Sequence, residues 1–422
     1  MIVSIQPSFV GGEVVVPASK SMGHRALLCA SLAAGTSVVT GLSMSKDIEA
    51  TMRCLQALGA RFQEHGNQWI VEGCDPKART SPAKLDAGES GSTLRFLVPV
   101  AALGSGPARF LGQGRLLSRP MTVYETLFSS HGLRFVHDQE QILVQGPLPG
   151  GNYRVPGNVS SQFVSGLLFA LPLADANSVI TIDGKFESKS YVDLTLKALV
   201  QAGIAIQEEK GAYRLAGAQS YRPGRFHVEK DYSQAAFFAV LAALNAPLVL
   251  RDMDLESRQG DKAILSLVQK AGAQVDVEAD RIHIRPGQRR GQTIDLADCP
   301  DLGPILCVLA AFIPETTTIR NAGRLRMKES DRIEAMETEL RKWGVDITSD
   351  EDTITICGQS RYVADHEIVM DGHNDHRVVM ACTVFGLCAG SPSKITGAQA
   401  VAKSYPAFFQ DIQKIGGKVE WK

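Results

Sequence analysis

The chain has 422 residues with 44 basic and 45 acidic side chains, which gives a formal net charge of −1. Its length exceeds the roughly 100–200 residues of one ordinary domain, so two or more hydrophobic cores are expected. With 44% hydrophobic and 21% charged residues, the composition excludes a disordered or collagen-like chain, and the near-neutral charge excludes a globally basic protein drawn to nucleic acid or anionic membrane.

The N-terminal segment and the longest apolar runs argue against export and membrane insertion. Residues 1–16 have no Lys or Arg ahead of their apolar stretch, unlike a signal peptide. The run at 163–174 is short and the run at 235–250 contains Asn245 and Pro247, whereas a spanning helix needs about 20 apolar residues. The eight cysteines include no CxxC pair, which argues against a disulfide framework or a zinc site. We expect a cytoplasmic protein.

A helix, a glycine and a strand recur along the chain at a nearly constant interval. Each copy is a helical segment followed by Gly-x-x-apolar, where the glycine can adopt left-handed backbone at the helix C-terminus. Successive copies are separated by 73, 71, 69, 72 and 72 residues. The six glycines are Gly59, Gly132, Gly203, Gly272, Gly344 and Gly416. This regularity predicts six α/β units of about 70 residues each.

Each predicted unit contains two kinds of helix. One kind is apolar on nearly all faces and is expected to be buried. These helices are centred on residues 26–28, 96–98, 167–169, 237–238, 306–308 and 379–380. The other kind precedes the repeated glycine and is amphipathic, as in 330–343. The predicted strands include 69–72, 141–145, 212–215, 281–284 and 353–356. A three-plus-three split near 224–229 and an open solenoid both remain possible at this point.

Basic residues are predicted at or just before several helix starts. Ser, Asp and Asn in such positions are ordinary N-caps. Lys or Arg there opposes the helix macrodipole at a cost of about 0.3–1 kcal/mol each. Lys20, Arg119, Lys328 and Lys403 are placed in this way. Because a bound anion would reverse the sign of that interaction, these residues predict a phosphate or carboxylate site.

The chemistry that suits such residues is group transfer on small polyanions. Arg and Lys can clamp phosphate and carboxylate groups, and Asp301 and Glu329 are candidate acid and base groups. Asp301 lies between Pro300 and the apolar run at 302–311, so it is either a helix cap or a base at a cleft. The segment 88–92 lacks the lysine of a Walker motif, which argues against an ATP-binding P-loop.

Seven segments, in chain order and without large gaps, together resemble the 5-enolpyruvylshikimate-3-phosphate (EPSP) synthase family. The segments are 17–28, 91–95, 119–121, 160–163, 327–332, 374–377 and 402–406. The resemblance implies an α/β fold of two similar globular domains, each built from three repeated units, with the active site in the cleft between them. It also implies that the first strand returns to the C-terminal half. The expected domains are residues 1–17 plus 229–422, and residues 18–228.

The resemblance further implies a reaction and a set of residues. The enolpyruvyl group of phosphoenolpyruvate would move to the 5-hydroxyl of shikimate 3-phosphate through a tetrahedral intermediate, releasing phosphate, in aromatic amino acid biosynthesis. No cofactor and no metal are expected, and the partners are these two small molecules, with neither nucleic acid nor membrane; we expect a monomer. The implied catalytic residues are Lys20, Asp301 as base for the hydroxyl and Glu329 as proton donor to the methylene carbon. The shikimate 3-phosphate set is Lys20, Ser21, Arg25, Ser160, Ser161, Gln162, Ser188, Asp301 and Lys328, and the phosphoenolpyruvate set is Lys20, Gly91, Arg119, Gln162, Arg332, Arg377 and Lys403.

Two departures from the family pattern and two rival functions remain. Glu89 stands where many members have Asn, and Arg324 stands where some have an Asn that contacts shikimate 3-phosphate. The sister UDP-N-acetylglucosamine enolpyruvyl transferases carry a catalytic Cys in a loop of the N-terminal half, and the comparable loop at 112–118 has none. A six-unit clamp on nucleic acid would need basic helix faces, whereas the amphipathic helix at 330–343 has mixed charge.

Overall fold

The structure, a computed structural model, describes residues 1–421. The chain forms two compact units: unit 1 contains Met1–Pro17 and Lys230–Lys422, and unit 2 contains Ala18–Glu229. Glu229, expected with the C-terminal residues, belongs to unit 2. Its backbone oxygen accepts a hydrogen bond from the Ser19 N–H at 2.7 Å, and its carboxylate lies 3.4 Å from Lys197.

The described residues contain helices of two alternating kinds, buried and amphipathic. In chain order they are α1 Lys20–Leu32, α2 Lys46–Ala57, α3 Gly91–Ala101, α4 Thr122–Ser130, α5 Ser161–Ala170, α6 Lys189–Gln201, α7 Tyr232–Leu244, α8 Ile264–Lys270, α9 Gly303–Ala311, α10 Arg332–Arg341, α11 His376–Cys388 and α12 Phe408–Lys414. Every residue of α7 and α9 is buried, as expected for helices that are apolar on all sides. Among the described residues, none of the helices combines the length and the apolar character needed to cross a membrane.

The strands are short and are spaced evenly along the described chain. They are β1 Val3–Gln6, β2 Gly12–Val14, β3 Thr36–Thr40, β4 Arg61–His65, β5 Gln68–Glu72, β6 Ala83–Asp86, β7 Ala108–Leu111, β8 Arg134–His137, β9 Ile142–Gln145, β10 Asn152–Pro156, β11 Ser178–Asp183, β12 Ile206–Glu209, β13 Ala212–Leu215, β14 Arg225–His227, β15 Leu248–Leu250, β16 Gln274–Glu278, β17 Arg281–Arg285, β18 Thr293–Asp295, β19 Thr316–Arg320, β20 Asp346–Ser349, β21 Ile354–Cys357, β22 Ile368–Asp371, β23 Ser393–Thr396 and β24 Lys418–Trp421.

Residues 1–421 form six four-stranded sheets with one shared topology. In each sheet the first strand is parallel to the second, and the second, third and fourth are mutually antiparallel neighbours. Unit 2 has the orders β14-β3-β5-β4, β6-β7-β9-β8 and β10-β11-β13-β12. Unit 1 has β2-β15-β17-β16, β18-β19-β21-β20 and β22-β23-β1-β24. The six-fold repeat predicted from glycine spacing is therefore confirmed.

The repeated glycines have the backbone conformation that the spacing argument required. All six have positive φ, from 68° at Gly132 to 116° at Gly59, and a strand begins two or three residues after each. A side chain in this region is strained, so glycine lets the chain leave the amphipathic helix and enter the next strand at once. The residue type and the interval both follow from this geometry.

Three strands near the ends of the two halves complete sheets far away in sequence. β1 pairs with β23 and β24, and β2 pairs with β15, so the first residues of the chain belong to unit 1. β14 pairs with β3 and completes the first sheet of unit 2. Each unit has its own hydrophobic core, built around α1, α3 and α5 in unit 2 and around α7, α9 and α11 in unit 1.

Candidate functional site

All of the predicted site residues lie in the described part of the chain, distributed over both units. Unit 2 contains Lys20, Ser21, Arg25, Gly91, Arg119, Ser160, Ser161, Gln162 and Ser188, and unit 1 contains Asp301, Lys328, Glu329, Arg332, Arg377 and Lys403. Most of these residues lie at helix N-termini or in the short turns that precede helices.

Lys20 is the first residue of α1, and Ser19 caps that helix through a hydrogen bond from the Met22 N–H. The Lys20 Nζ lies 2.7 Å from the carboxylate of Asp47, in the first turn of α2. Asp47 is stabilised there by the partial positive charge of the α2 N-terminus. This contact of Asp47 is not visible in the sequence, because an acidic residue in a first helical turn has an ordinary structural explanation. The ion pair holds Lys20 in place, and its side chain remains 16% exposed and accessible to a ligand.

Arg25 is buried and fastens α1 to α6. Its Nε donates to the Thr195 hydroxyl at 2.9 Å, and its two terminal nitrogens donate to the Ser21 and Tyr191 carbonyls at 2.6 and 2.7 Å. Its guanidinium carbon lies 5.1 Å from the centroid of the Phe96 ring. Burial lowers the pKa of Arg25 to about 10, so the residue remains a cation at neutral pH. With three of five N–H groups occupied, two remain for an anion.

A buried chain of hydroxyls connects the starts of α1, α2 and α3. The His24 Nδ1 lies 2.7 Å from the Thr51 hydroxyl, which lies 2.6 Å from the Thr93 hydroxyl. Thr93 in turn donates to Ser90 at 2.7 Å, and Ser90 caps α3. Burial, together with Lys20 and Arg25, holds the pKa of His24 well below its usual value. The neutral ring thus belongs to the framework that fixes the ends of these helices.

Gln162 bridges α5 and α3 through both ends of its amide. Its Oε1 accepts from Arg95 at 2.8 Å and its Nε2 donates to Ser92 at 3.0 Å, which fixes the amide orientation. Ser160 caps α5, and its hydroxyl accepts from the Gln162 N–H at 3.3 Å. Ser161 and Gln162 therefore occupy the first turn of α5, where backbone N–H groups are available to anions.

Arg119 points to an anionic ligand more clearly than any other residue of unit 2. It is 8% exposed, and a Cβ on Gly91 would lie only 2.7 Å from its Nη1. Gly91 is the first residue of α3, so the guanidinium lies against a helix N-terminus of the same charge sign. Within residues 1–421 Arg119 makes no ion pair, and its buried Nε has no hydrogen-bond partner. A cation in this position is stabilised when an anion binds between it and the helix.

Asp301 is the centre of a cluster of cations in unit 1. Its carboxylate lies 3.3 Å from the Lys328 Nζ, 3.2 Å from the Arg332 Nη1 and 2.9 Å from the Arg377 Nη2. Arg377 also donates to the Asp301 carbonyl at 3.2 Å and to the Ser233 hydroxyl at 3.0 Å. Asp301 lies in a 3₁₀ turn at Pro300–Leu302, where its carboxylate is directed at the cations. Of the two alternatives left open by the sequence, the helix cap is excluded, because the N-cap position of α9 is Leu302 and that helix end has no side-chain cap hydrogen bond.

Arg332 connects three carboxylates and is almost completely buried, with a side-chain exposure of 1%. In addition to Asp301, it lies 2.7 Å from Glu329 and 2.8 Å from Asp375. Asp375 caps α11 and also accepts from the Ser330 hydroxyl at 3.2 Å. Asp375 lies in the segment 374–377, and the sequence alone assigns it no role there because an Asp before a helix is usually only a cap. Here it caps the helix and orients Arg332 as well.

In this cluster, burial and the neighbouring opposite charges shift each pKa in opposite directions. Burial would raise the pKa of Asp301, but Arg377, Lys328 and Arg332 outweigh it and hold that pKa well below the usual range. In Asp375, burial is likewise outweighed by Arg332, and the pKa is lowered. Burial lowers the pKa of Lys328, with Asp301 acting against that shift. The free site therefore contains ionised carboxylates in contact with cations.

Glu329, Asp375 and His376 have ligand-type atoms within 4.8 Å of one another. Arg332 already bonds to both of these carboxylates, so a side chain of the protein supplies the cation at this point. The two carboxylates therefore serve to orient Arg332.

The positions of two basic residues differ from the prediction. Lys328 follows a 3₁₀ turn at Gly323–Met327, and Lys403 ends a 3₁₀ turn at Ala398–Lys403, several residues before α10 and α12. Neither residue lies in a helix N-terminus, so the argument from macrodipole repulsion is wrong for both. Lys403 is instead fixed by its Nζ, which donates to the Asn374 carbonyl at 2.5 Å.

The two departures from the family pattern have defined surroundings. The Glu89 side chain faces the loop at 112–118, where a Cβ on Gly114 would lie 2.6 Å from its Oε2. Arg324 donates to the Ala297 carbonyl at 2.7 Å.

A family model described as EPSP synthase (3-phosphoshikimate 1-carboxyvinyltransferase) matches residues 5–412. The chain belongs to the EPSP synthase family. The 3-phosphoshikimate 1-carboxyvinyltransferase of Clostridium novyi is 39% identical over 99% of this chain and 98% of its own length. That of Clostridium kluyveri is 38% identical over the same shares. The family predicted from the seven segments is confirmed, and with it an enzyme of the transferase class.

Solved structures agree with the α/β fold of this EPSP synthase family member. An EPSP synthase from Acinetobacter baumannii superposes with a TM-score of 0.80 at 27% identity, covering 99% of both chains. The enolpyruvyl transferase NikO from Streptomyces tendae gives a TM-score of 0.76 at 15% identity over 99% of this chain and 98% of its own, a likeness of fold alone.

Proposed function

We propose that this EPSP synthase family member transfers the enolpyruvyl group of phosphoenolpyruvate to the 5-hydroxyl of shikimate 3-phosphate and releases phosphate. The observation that carries the proposal is the placement of Asp301 among Lys328, Arg332 and Arg377. This arrangement puts a buried carboxylate beside three cations that can bind phosphate and carboxylate groups, as an acid/base step on polyanionic substrates requires.

Shikimate 3-phosphate is assigned to residues of both units. In unit 2 these are Lys20, Ser21, Arg25, Ser160, Ser161, Gln162 and Ser188, and in unit 1 they are Asp301 and Lys328. The support is chemical: hydroxyls and helix N-termini suit a phosphate and a polyol ring, and Lys328 is already beside Asp301. Tyr191, whose carbonyl accepts a hydrogen bond from Arg25, is assigned a position beside the shikimate ring.

Phosphoenolpyruvate is assigned to a more strongly basic set. It comprises Lys20, Gly91, Arg119 and Gln162 of unit 2 and Arg332, Arg377 and Lys403 of unit 1. The support is the lack of an ion-pair partner for Arg119 within residues 1–421 and the near-complete burial of Arg332, Arg377 and Lys403. Buried cations interact more strongly with an anion than exposed cations do, because water screens them less.

In the proposed reaction Asp301 accepts the proton of the 5-hydroxyl group while the oxygen of that hydroxyl forms a bond to C2 of phosphoenolpyruvate. Glu329 delivers a proton to the methylene carbon, which completes a tetrahedral adduct. The Glu329 carboxylate then takes a proton back from the resulting methyl group, and phosphate departs with the proton held by Asp301, which restores the double bond and both carboxyl groups. Asp301 is a weak base in the free site because three cations lower its pKa. Substrate anions that bind these cations raise its basicity at the step that needs it.

The direct test is phosphate release from phosphoenolpyruvate with shikimate 3-phosphate as acceptor, and in parallel with UDP-N-acetylglucosamine. We expect release only with shikimate 3-phosphate. Release only with UDP-N-acetylglucosamine would assign the chain to the sister reaction, and release with neither would refute the proposal.

Replacing Gly91 with Ala tests the phosphoenolpyruvate assignment. The new Cβ would stand 2.7 Å from the Arg119 Nη1 and must displace the guanidinium. We expect KM for phosphoenolpyruvate to rise roughly 10- to 100-fold, the loss of about one charge-assisted hydrogen bond, with KM for shikimate 3-phosphate little changed. Gly224→Ala is the matched control, because a Cβ there meets nothing within 4 Å and its φ is not positive. Equal phosphoenolpyruvate KM values in the two variants would contradict the assignment.

We propose further that the enzyme acts as a monomer in the cytoplasm. The support is that the proposed sets draw every residue from one chain. Sedimentation at assay concentrations should give the mass of a single chain, and a mass of two chains would contradict the monomer. Localisation is tested by fractionating the native cells.

A further inference from the structure

The turn that leads into α11 contains two successive residues in an unfavourable backbone conformation. His373 and Asn374 both have φ of 49°, in the left-handed region. For residues other than glycine this conformation is strained, and it persists only where the surrounding structure holds it. The turn lies between the end of β22 at Asp371 and the cap of α11 at Asp375.

Glu339 of α10 holds this turn in place. Its carboxylate accepts from the His373 Nε2 at 2.8 Å, from the Asp371 N–H at 2.9 Å and from the Lys342 Nζ at 2.7 Å. The side chain is only 1% exposed, and a carboxylate buried to this extent needs such donors to remain charged. Burial works to raise the pKa of Glu339, but these hydrogen bonds outweigh it and lower that pKa.

The turn is directly connected to residues assigned to phosphoenolpyruvate. The Asn374 carbonyl accepts the hydrogen bond from Lys403, and the next residue, Asp375, bonds to Arg332 and caps the helix that carries Arg377. A shift of this turn would therefore move the anchors of all three cations at once.

Glu339 is also placed to couple the turn to the helix on which Arg332 lies. The two residues are seven positions apart in α10, which puts them on the same face two turns from each other. Arg332 contacts Asp375, the cap of α11, and Glu339 contacts the turn before it, so α10 contacts this segment at two points.

We propose that Glu339 and His373 are positioning residues for phosphoenolpyruvate, which act by holding the strained turn that orients Lys403, Arg332 and Arg377. The inference rests on the proposed function for the identity of the ligand. Neither residue is assigned to either substrate, and both act through the residues they position.

Three variants test this role, so the test still gives a result if one of them does not fold. Glu339→Gln keeps the shape and loses the charge, and Glu339→Ala removes the acceptor. His373→Asn keeps a residue type that tolerates left-handed backbone but is too short to reach Glu339. The control is Glu337→Gln on the same helix, since Glu337 pairs with Arg341 and accepts from Ser349 at 2.6 Å without contacting the turn.

The readouts are KM for each substrate, kcat, the melting temperature and the Kd of phosphoenolpyruvate by calorimetry. We expect His373→Asn and Glu339→Gln to raise both KM and Kd for phosphoenolpyruvate about tenfold, the loss of one charge-assisted hydrogen bond, with KM for shikimate 3-phosphate unchanged. Glu337→Gln should match the wild type in both substrate constants. A purely structural contact would lower the melting temperature without separating the two KM values.

Two results would overturn the inference: phosphoenolpyruvate constants equal to those of Glu337→Gln, or parallel rises in both KM values. The proposed function is judged separately, by the activity of the wild type with shikimate 3-phosphate. If that activity were missing, the calorimetric Kd of phosphoenolpyruvate in the variants relative to the wild type would still decide the role of the turn.

Discussion

Replacing Asp301 with Asn is expected to lower kcat by about 10²–10⁴-fold, while KM for phosphoenolpyruvate stays unchanged or falls. The amide keeps the size of the side chain but cannot accept the hydroxyl proton as a base. Removing the charge also frees Lys328, Arg332 and Arg377 from their ion pairs with Asp301, so these cations become more available to substrate anions. The expected signature is thus a loss of turnover without a loss of binding.

The measurement is steady-state phosphate release over a range of both substrates. Asp331→Asn is the matched control, because Asp331 caps α10 close to the cluster and Asn is an equally good cap. Near-normal turnover in Asp301→Asn would show that another group takes the proton. A large rise in either KM with kcat preserved would make Asp301 a binding residue only.

Replacing Arg332 with Met is expected to destabilise unit 1 by about 3–5 kcal/mol at neutral pH, the cost of leaving buried carboxylates without their cation. Arg332 is 1% exposed and lies within hydrogen-bond distance of Asp301, Glu329 and Asp375. Asp301 keeps two other cations, but Asp375 is completely buried and has Arg332 as its main counter-charge. The methionine fills most of the volume, so the loss is mainly electrostatic.

Urea unfolding measures this difference, with Arg341→Met as control. Arg341 lies in the same helix and is 54% exposed in an ion pair with Glu337, and such surface pairs contribute about 0–1 kcal/mol. Equal urea midpoints for the two variants would contradict the role given to Arg332.

The same comparison has a defined pH dependence. The folded-state pKa values of Asp301 and Asp375 are lowered, so their ion pairs stabilise the wild type above the unfolded pKa of about 3.9. This contribution is lost as the pH falls through the lower folded values. In Arg332→Met, Asp375 is buried without Arg332 and takes up a proton at higher pH. The gap in unfolding free energy between wild type and variant should therefore be widest near neutral pH. It should narrow as the pH falls, beginning above the unfolded pKa of about 3.9, where Asp375 of the variant takes up its proton. A gap independent of pH would show that packing, not charge, sets the loss.

The repeat was predictable because one local requirement recurs at one interval. A glycine with positive φ ends each amphipathic helix before the next strand, and both the residue type and the spacing are visible in the sequence. The α10 stripe of Ile333, Met336, Leu340 and Trp343 is buried as its periodicity indicates. The helix begins later than predicted, at Arg332, because Asp331 caps it, and it ends at Arg341.

The caps and the ion-pair cluster were much less predictable. Ser19 and Ser90, and not Ser21 and Ser92, cap α1 and α3, and the Ser-x-Ser pattern in the sequence does not distinguish the two positions. The partners of Asp301 lie 27, 31 and 76 residues further along, and no local pattern specifies such distances. The resemblance to a family supplied the residue sets, and the geometry supplied the contacts within each unit.

The strand exchange between distant parts of the chain constrains the order of folding during synthesis. β2 has no partner until β15 is made, and β1 has none until β23 and β24 follow near the end of the chain. At about 5–20 residues per second, the ribosome leaves the first strands unpaired for roughly ten seconds or longer. Unit 2 holds all its strands once β14 has emerged and can form first. A nascent chain stalled just after β14 has emerged from the ribosome should therefore protect residues 18–229 from protease while residues 1–17 remain cleavable.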